Sequence, residues 1–322
     1  MPRGEKGLSL TAMDILLILA IALAIDLFLG EPPLIIHPVV WMGKAVSFLE
    51  QKNVGQRPSA QFIWGVVITL VTLGLFTAPA YFIIHYLKGL NLVAYVVVAA
   101  VLLKPTFSLR ELRRVAWQIR RLLEKDELDR ARFELRSLVS RDTRGLPKPL
   151  LVSAAVESVA ESTCDSFIAP LFYFIIFGVP GAVAYRVVNT LDAVVGYHGK
   201  YEYLGRFAAR LDDVLNFIPA RISALLLVLA AFLSRRDARS SWRTALNRHS
   251  RTESPNAGWP MAAVAGALNV QLEKRGSYKL GEADAPLVPE TIGASLKLVQ
   301  IAGLSWVLIC FMVGVVYFVY TA

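Results

Sequence analysis

Six stretches of this sequence are too long and too apolar to be left in water, and they decide the fold class before any single residue is considered. They are residues 13–30, 62–87, 92–109, 167–188, 217–233 and 298–322. A helix needs about 20 mostly apolar residues to cross a bilayer's hydrocarbon core. Inside that core only helices and closed barrels satisfy every backbone N–H and C=O. With 55% of the chain hydrophobic and gathered into such runs, the expectation is an all-α, polytopic helical membrane protein. The whole of 1–322 reads as a single membrane domain with about four to six membrane segments. The first run is expected to remain in place, because Glu31-Pro32-Pro33 follows it instead of a small-residue cleavage site.

Charge sorts the loops. The net charge is +9, and residues 104–148 hold thirteen Lys/Arg against seven Asp/Glu, while 235–284 hold nine against five. Basic loops face the cytoplasm, so a multi-pass protein of the cell membrane with both basic segments cytoplasmic is expected. Three spans then precede the first basic segment and put the N-terminus outside. Arg3 and Lys6 pull the other way but are outweighed by the thirteen. Within 104–149 the stripes Leu112, Val115, Ile119, Leu122 and Leu128, Ala131, Leu135, Leu138 recur at helical spacing. They break at Lys125-Asp126-Glu127, which predicts a cytoplasmic helical hairpin. Residues 235–290 form a basic cytoplasmic loop whose small residues permit close helix packing. No nucleic-acid module accompanies the basic residues, and Cys164 and Cys310 have neither disulfide nor zinc spacing.

The apolar runs are not clean. Lys104-Pro105 interrupts one, and Pro170, Gly178, Pro180 and Gly181 interrupt another. Broken or re-entrant helices are tolerated at membrane depth where they line a cavity, so 167–188 and 217–233 either cross fully or dip back. Asp26 closes the first run, and an intramembrane carboxylate is a functional candidate unless it reaches water at the interface.

The unusual stretch is 140–221. Glu157, Glu161 and Asp165 stand at i, i+4 and i+8, which puts three carboxylates on one helix face. Like charges at that spacing repel, so a cation or arginines should neutralise them. Arg141, Arg186, Arg210 and Arg221 are near in sequence, as are Asn189, Asp192, Asp212, Asp213 and Asn216. Hard oxygen ligands suit Mg²⁺, which takes one or two carboxylates plus substrate phosphates. Arginine forks suit phosphate or carboxylate, and no Walker loop is present. Buried ion pairs or a transporter's ion pathway also place acids in membrane helices. The arginines beside them and the large basic loops favour a site for anionic substrates.

These residues fall in blocks that resemble the adenosylcobinamide-phosphate synthase family of cobalamin biosynthesis. The blocks are DLFLGEPPLIIHPVVWMG (26–43), RDT (141–143), ESVAESTCDSFIAPLFY (157–173), NTLDAVVGYHGKYEYLGRFAARLDDVLNFIPARISAL (189–225) and SPNAGWPMAAVAGAL (254–268). They lie along most of the chain in the family's order. Ser162, Ser166 and His198 depart from the family's usual Asn, Gly and Arg or Lys. The resemblance implies an ATP-dependent amide ligase that joins adenosylcobyric acid, a corrinoid substrate, to aminopropanol or aminopropanol phosphate. ATP and Mg²⁺ are implied with it, and a cobalamin synthase in the same membrane is the implied partner.

The implied site follows the matched blocks. Glu157, Glu161 and Asp165 would hold Mg²⁺ or act as base, and Asp192, Asp212 and Asp213 would form a second acidic cluster. Arg141, with Asp142 beside it, Arg210 and Arg221 would bind phosphate or the substrate carboxylate. His37, Asn189 and Asn216 would orient groups by hydrogen bonds. The alternatives in other classes are a corrinoid or ion transporter and a Mg²⁺-dependent membrane phosphotransferase.

Overall fold

Among the described residues most of the backbone is helical, as the apolar runs require. The computed structural model describes residues 12–51, 57–196 and 202–321; Arg3, Lys6 and His198 lie outside them. In chain order the helices are α1 (Ala12–Phe28), α2 (Pro38–Glu50), α3 (Pro58–Leu90), α4 (Leu92–Leu103), α5 (Arg110–Glu124) and α6 (Leu128–Leu135), then α7 (Lys148–Thr163), α8 (Ala169–Val195), α9 (Arg206–Leu233), α10 (Ala238–Arg248), α11 (Gly258–Leu268) and α12 (Pro289–Thr321). A short antiparallel hairpin, β1 (Leu272–Lys274) and β2 (Tyr278–Leu280), pairs Leu272 with Leu280 and Lys274 with Tyr278. Among the described residues five helical segments are long and apolar enough to cross a membrane: Pro58–Leu90, Leu92–Glu124, Lys148–Val195, Arg206–Leu233 and Pro289–Tyr317. The first apolar run forms α1, whose 17 residues are slightly shorter.

The chain divides into two compact units. The first comprises residues 1–108, 170–212 and 308–322, and the second comprises 109–169 and 213–307.

In the first unit α1 packs on α4, and α3 packs on α2 and α4. Lys104 is buried there with two acids. Its ammonium lies 2.7 Å from Glu31 and 3.1 Å from Asp26, so Asp26 reaches a lysine instead of water. His37 caps α2: its Nδ1 accepts from the Val39 N–H at 3.2 Å, which leaves Nε2 to donate to Glu31 at 3.0 Å. Burial raises the Glu31 pKa, but the His37 and Lys104 hydrogen bonds outweigh it and hold the carboxyl at about 2. α8 is broken at Gly178, where φ 68° and ψ −163° lie in a region essentially restricted to glycine. The Gly/Pro cluster announced this break.

In the second unit the hairpin of α5 and α6 turns at Asp126, whose φ is 57°. Leu112, Val115, Ile119 and Leu123 of α5 are buried, so the stripe closes on Leu123 instead of Leu122. α6 ends at Leu135, before Leu138, because the next amides bond to carbonyls three residues back and form turns. Residues 235–290 are well folded. α11 is buried along almost its whole length and packs closely on α10. A Cβ at Gly266 would lie 2.5 Å from the Ser240 carbonyl oxygen, so small residues allow that contact.

Candidate functional site

The acidic face of α7 begins at Glu157, buried by α11 and the hairpin, with only 4% of the residue exposed. Three donors converge on it. Arg141 Nη2 reaches Oε2 at 3.0 Å, Tyr278 Oη reaches the same oxygen at 2.8 Å, and Ser153 Oγ reaches Oε1 at 2.6 Å. Ser153 stands one turn before Glu157, and its Oγ accepts the Glu273 N–H of β1 at 2.7 Å. The hairpin is thereby tied to the acid by both of its strands. Burial, then the Glu157 charge, raises the Tyr278 pKa well above the ordinary phenol value; the hydroxyl stays protonated and donates. Arg141 neutralises the first carboxylate of the row. Its Nε is buried with no hydrogen-bond partner.

Glu161 lies one turn further along the same face and adds to the negative field at Tyr278. Beyond Thr163 the helix relaxes into a π-helical turn, Cys164–Ile168, that contains Asp165. π turns widen the helix and shift the register of whatever follows, and they are frequent at functional sites. The i, i+4, i+8 face therefore holds as far as Glu161 and changes register at Asp165. Cys164 Sγ lies 3.7 Å from Asn216 Oδ1, which fixes this end of the row against α9.

Around Asn216 a second group is gathered from two sequence blocks. Asp213 takes a hydrogen bond from Asn256 Nδ2 to its carbonyl at 2.7 Å and one from Ser254 Oγ to its carboxylate at 3.4 Å. Arg221 donates to the Phe217 carbonyl at 2.5 Å and to Asn256 Oδ1 at 3.4 Å. Its guanidinium carbon lies 3.5 Å from the Phe217 ring centre and 5.0 Å from that of Trp259. Trp259 in turn stacks on His249, with ring centres 4.0 Å apart. No carboxylate is within ion-pair reach of Arg221 among the described residues. α11 links the two groups, since Trp259 touches Arg221 while Met261 Sδ is 3.8 Å from Tyr278 Oη.

In the first unit Arg186 donates to Asn189 at 3.2 Å, and Asn189 donates to Asp212 at 3.4 Å. Asp192 is half-buried, and its Oδ1 would be 2.1 Å from a Cβ on Gly196. Arg210 is exposed. Asp142 sits on an exposed turn, where hydrogen bonds from the Arg144 side chain hold its pKa at about 2. His37 uses both ring nitrogens on protein partners. Among the described residues no three of His, Cys, Asp or Glu gather closely enough to hold a metal.

Sequence reasoning assigned no role to Ser153, Tyr278, Ser254, Asn256 or Trp259. Ser153 could have been found as the i−4 neighbour of Glu157. The last three stand in the SPNAGWP block, which matched without roles. Nothing local marks Tyr278.

A family model described as CobD/Cbib protein matches residues 19–316. The chain is 56% identical over 306 residues to the cobalamin biosynthesis protein CobD of Dehalococcoides mccartyi (strain CBDB1), covering 95% of this chain and 99% of that one. It is 44% identical over 282 residues to a probable cobalamin biosynthesis protein CobD of Methanothermobacter thermautotrophicus, covering 87% and 92%. It is also 44% identical over 262 residues to the Pyrococcus furiosus protein of that description, covering 81% and 86%. No solved structure matches.

Proposed function

The chain belongs to the CobD/Cbib family, and from that premise we propose that it works in cobalamin biosynthesis as an ATP-dependent amide ligase in the membrane. Its substrates are adenosylcobyric acid and aminopropanol or its phosphate. The observation that carries this reading is a pair of arginines on the two groups that α11 links: Arg141 held by Glu157 of α7, and Arg221 without a carboxylate partner among the described residues. Arginine kept from acids by aromatic faces is available to an anionic ligand.

The chemistry needs such a site. A carboxylate is a poor electrophile at neutral pH, so one of its oxygens attacks the γ-phosphorus of ATP and ADP leaves. The amine nitrogen then attacks the acyl carbon, and phosphate leaves with the former carboxylate oxygen. Arg141 and Arg221 offset the phosphate charge that builds up in both steps. Glu157, with all three of its contacts satisfied within the protein, holds Arg141 in position. Glu161 removes the proton from the incoming ammonium. Mg²⁺ accompanying ATP supplies further charge neutralisation when bound, and it needs only one or two carboxylates because phosphate oxygens complete its shell. Asp165, in the π-helical turn that follows α7, would meet that small demand.

The test is direct. Purified protein in detergent is given adenosylcobyric acid, aminopropanol phosphate and Mg-ATP, and the condensed product is sought by mass spectrometry. Product that requires ATP supports the ligase. Corrinoid flux into liposomes without product would replace it with a transporter.

A further inference from the structure

The first unit contains a second site unrelated to the acid row. The geometry points to a cleft beside the break at Gly178 that holds one anionic phospholipid, with its phosphate at Lys88 and Tyr95 and an acyl chain along the apolar wall.

The cleft has a volume of about 420 Å³, within the ordinary range for small-molecule cavities. Its walls are mainly aliphatic, including Ile15, Ile84, Ile175, Val179 and Val313. One end is polar. Lys88 lies in the last turn of α3 and Tyr95 in the first turn of α4, on either side of the Asn91 cap that joins the two helices. Ends of apolar helices lie at headgroup level, where aromatic and basic residues collect. The Lys88 ammonium is 5.8 Å from the Tyr95 ring centre, and its side chain is 31% exposed.

Tyr95 supplies the strongest clue. The residue is fully buried, and its hydroxyl has no hydrogen-bond partner. Buried hydroxyls are nearly always paired, so an orphan on a cavity wall calls for an acceptor. A phosphate oxygen supplies one that the lysine also attracts. The facing charges are Asp14, 3.8 Å from Lys88, and His85 one turn earlier on α3, stacked on Tyr81. Asp14 is itself buried.

The cleft opens towards hydrocarbon. Ile176, Phe177 and Val313 on its rim are 51%, 64% and 43% exposed, on segments apolar enough to span a membrane. A broken helix at that depth is tolerated where it lines a cavity. A soluble anion would gain nothing from such walls, whereas an acyl chain buries against them.

The experiment uses the full-length protein, stripped of lipid in detergent and titrated with phosphatidylglycerol or phosphatidylcholine under native mass spectrometry. One phosphatidylglycerol should be retained in preference to phosphatidylcholine. Lys88→Gln should weaken it about fivefold, the effect of one basic residue near a membrane surface. Tyr95→Phe keeps the ring and removes only the orphan hydroxyl, so it carries the test even if Lys88→Gln fails to fold. Equal retention of both lipids, or unchanged phosphatidylglycerol binding in Tyr95→Phe, overturns the proposal.

Discussion

Arg141 and Glu157 provide a perturbation whose size can be worked out. Their side chains are 19% and 5% exposed, with Nη2 and Oε2 3.0 Å apart. At an effective dielectric of about 20 a pair at such range gains roughly 4 kcal/mol. Breaking a buried pair by removing one partner costs about 3–5 kcal/mol, because the other charge is stranded. Arg141 is partly wetted, so Arg141→Met should cost about 2–3 kcal/mol after screening. Glu157→Gln should cost a similar amount, since Tyr278 and Ser153 both donate and an amide nitrogen cannot accept. The double variant should cost less than the sum, with a coupling of about 2 kcal/mol. The assay is thermal unfolding of all four proteins in one detergent at a fixed scan rate, since such proteins commonly unfold irreversibly. Each single variant should unfold roughly 3–5 °C lower, and the double should recover part of that loss. Additive losses would refute the claim that the two groups neutralise one another.

Other expectations follow from individual contacts. Lys104→Met removes the buried ammonium from Asp26 and Glu31 and should cost about 3–5 kcal/mol, seen as loss of folded protein on size-exclusion chromatography; a normal profile would count against the Lys104 network. Glu31 has a folded pKa of about 2 against an ordinary 4.5, so its contribution is complete above about pH 4.5 and is lost as the pH falls towards 2. Glu31→Gln should flatten that part of the stability profile, and an unchanged slope would show that other groups cause it. Tyr278 should stay protonated while ordinary tyrosines ionise near pH 10; comparing 295 nm titrations of the parent and Tyr278→Phe checks this, because their phenolate steps near pH 10 should match. Gly258→Ala puts a Cβ 1.9 Å from the His249 carbonyl oxygen and should destabilise by about 1–3 kcal/mol. Glu161→Gln should lower ligation by about 10²-fold or more at unchanged membrane expression, and near-normal turnover would remove Glu161 from the site.

Much of this architecture was legible because the signals are local. The apolar runs gave the spans, the Gly178–Gly181 cluster gave the break in α8, and the α5 periodicity gave the hairpin's first helix. The paired placement of Arg141 and Glu157 was foreshadowed by repulsion along the α7 face. Contacts between distant residues were not legible. Tyr278 and Glu157 are 121 positions apart, and strands of three residues carry too short a pattern to announce themselves. Asp26 invited two readings, interfacial or functional, because its partner Lys104 is far away in sequence. The π turn at Cys164–Ile168 is invisible to a count of i, i+4 spacings, so Asp165 was set on a face whose register changes just before it. α12 begins at Pro289, nine residues before the apolar run, because its first turns are polar yet still helical.

Oxygen transfer tests the central claim most directly. Adenosylcobyric acid labelled with ¹⁸O in its free carboxylate should, during one turnover with Mg-ATP and aminopropanol phosphate, deliver one labelled oxygen to inorganic phosphate as the amide forms. Label recovered in AMP would mean that the acid is activated at a different phosphorus. Amide formed with no label in any phosphate product would contradict the account.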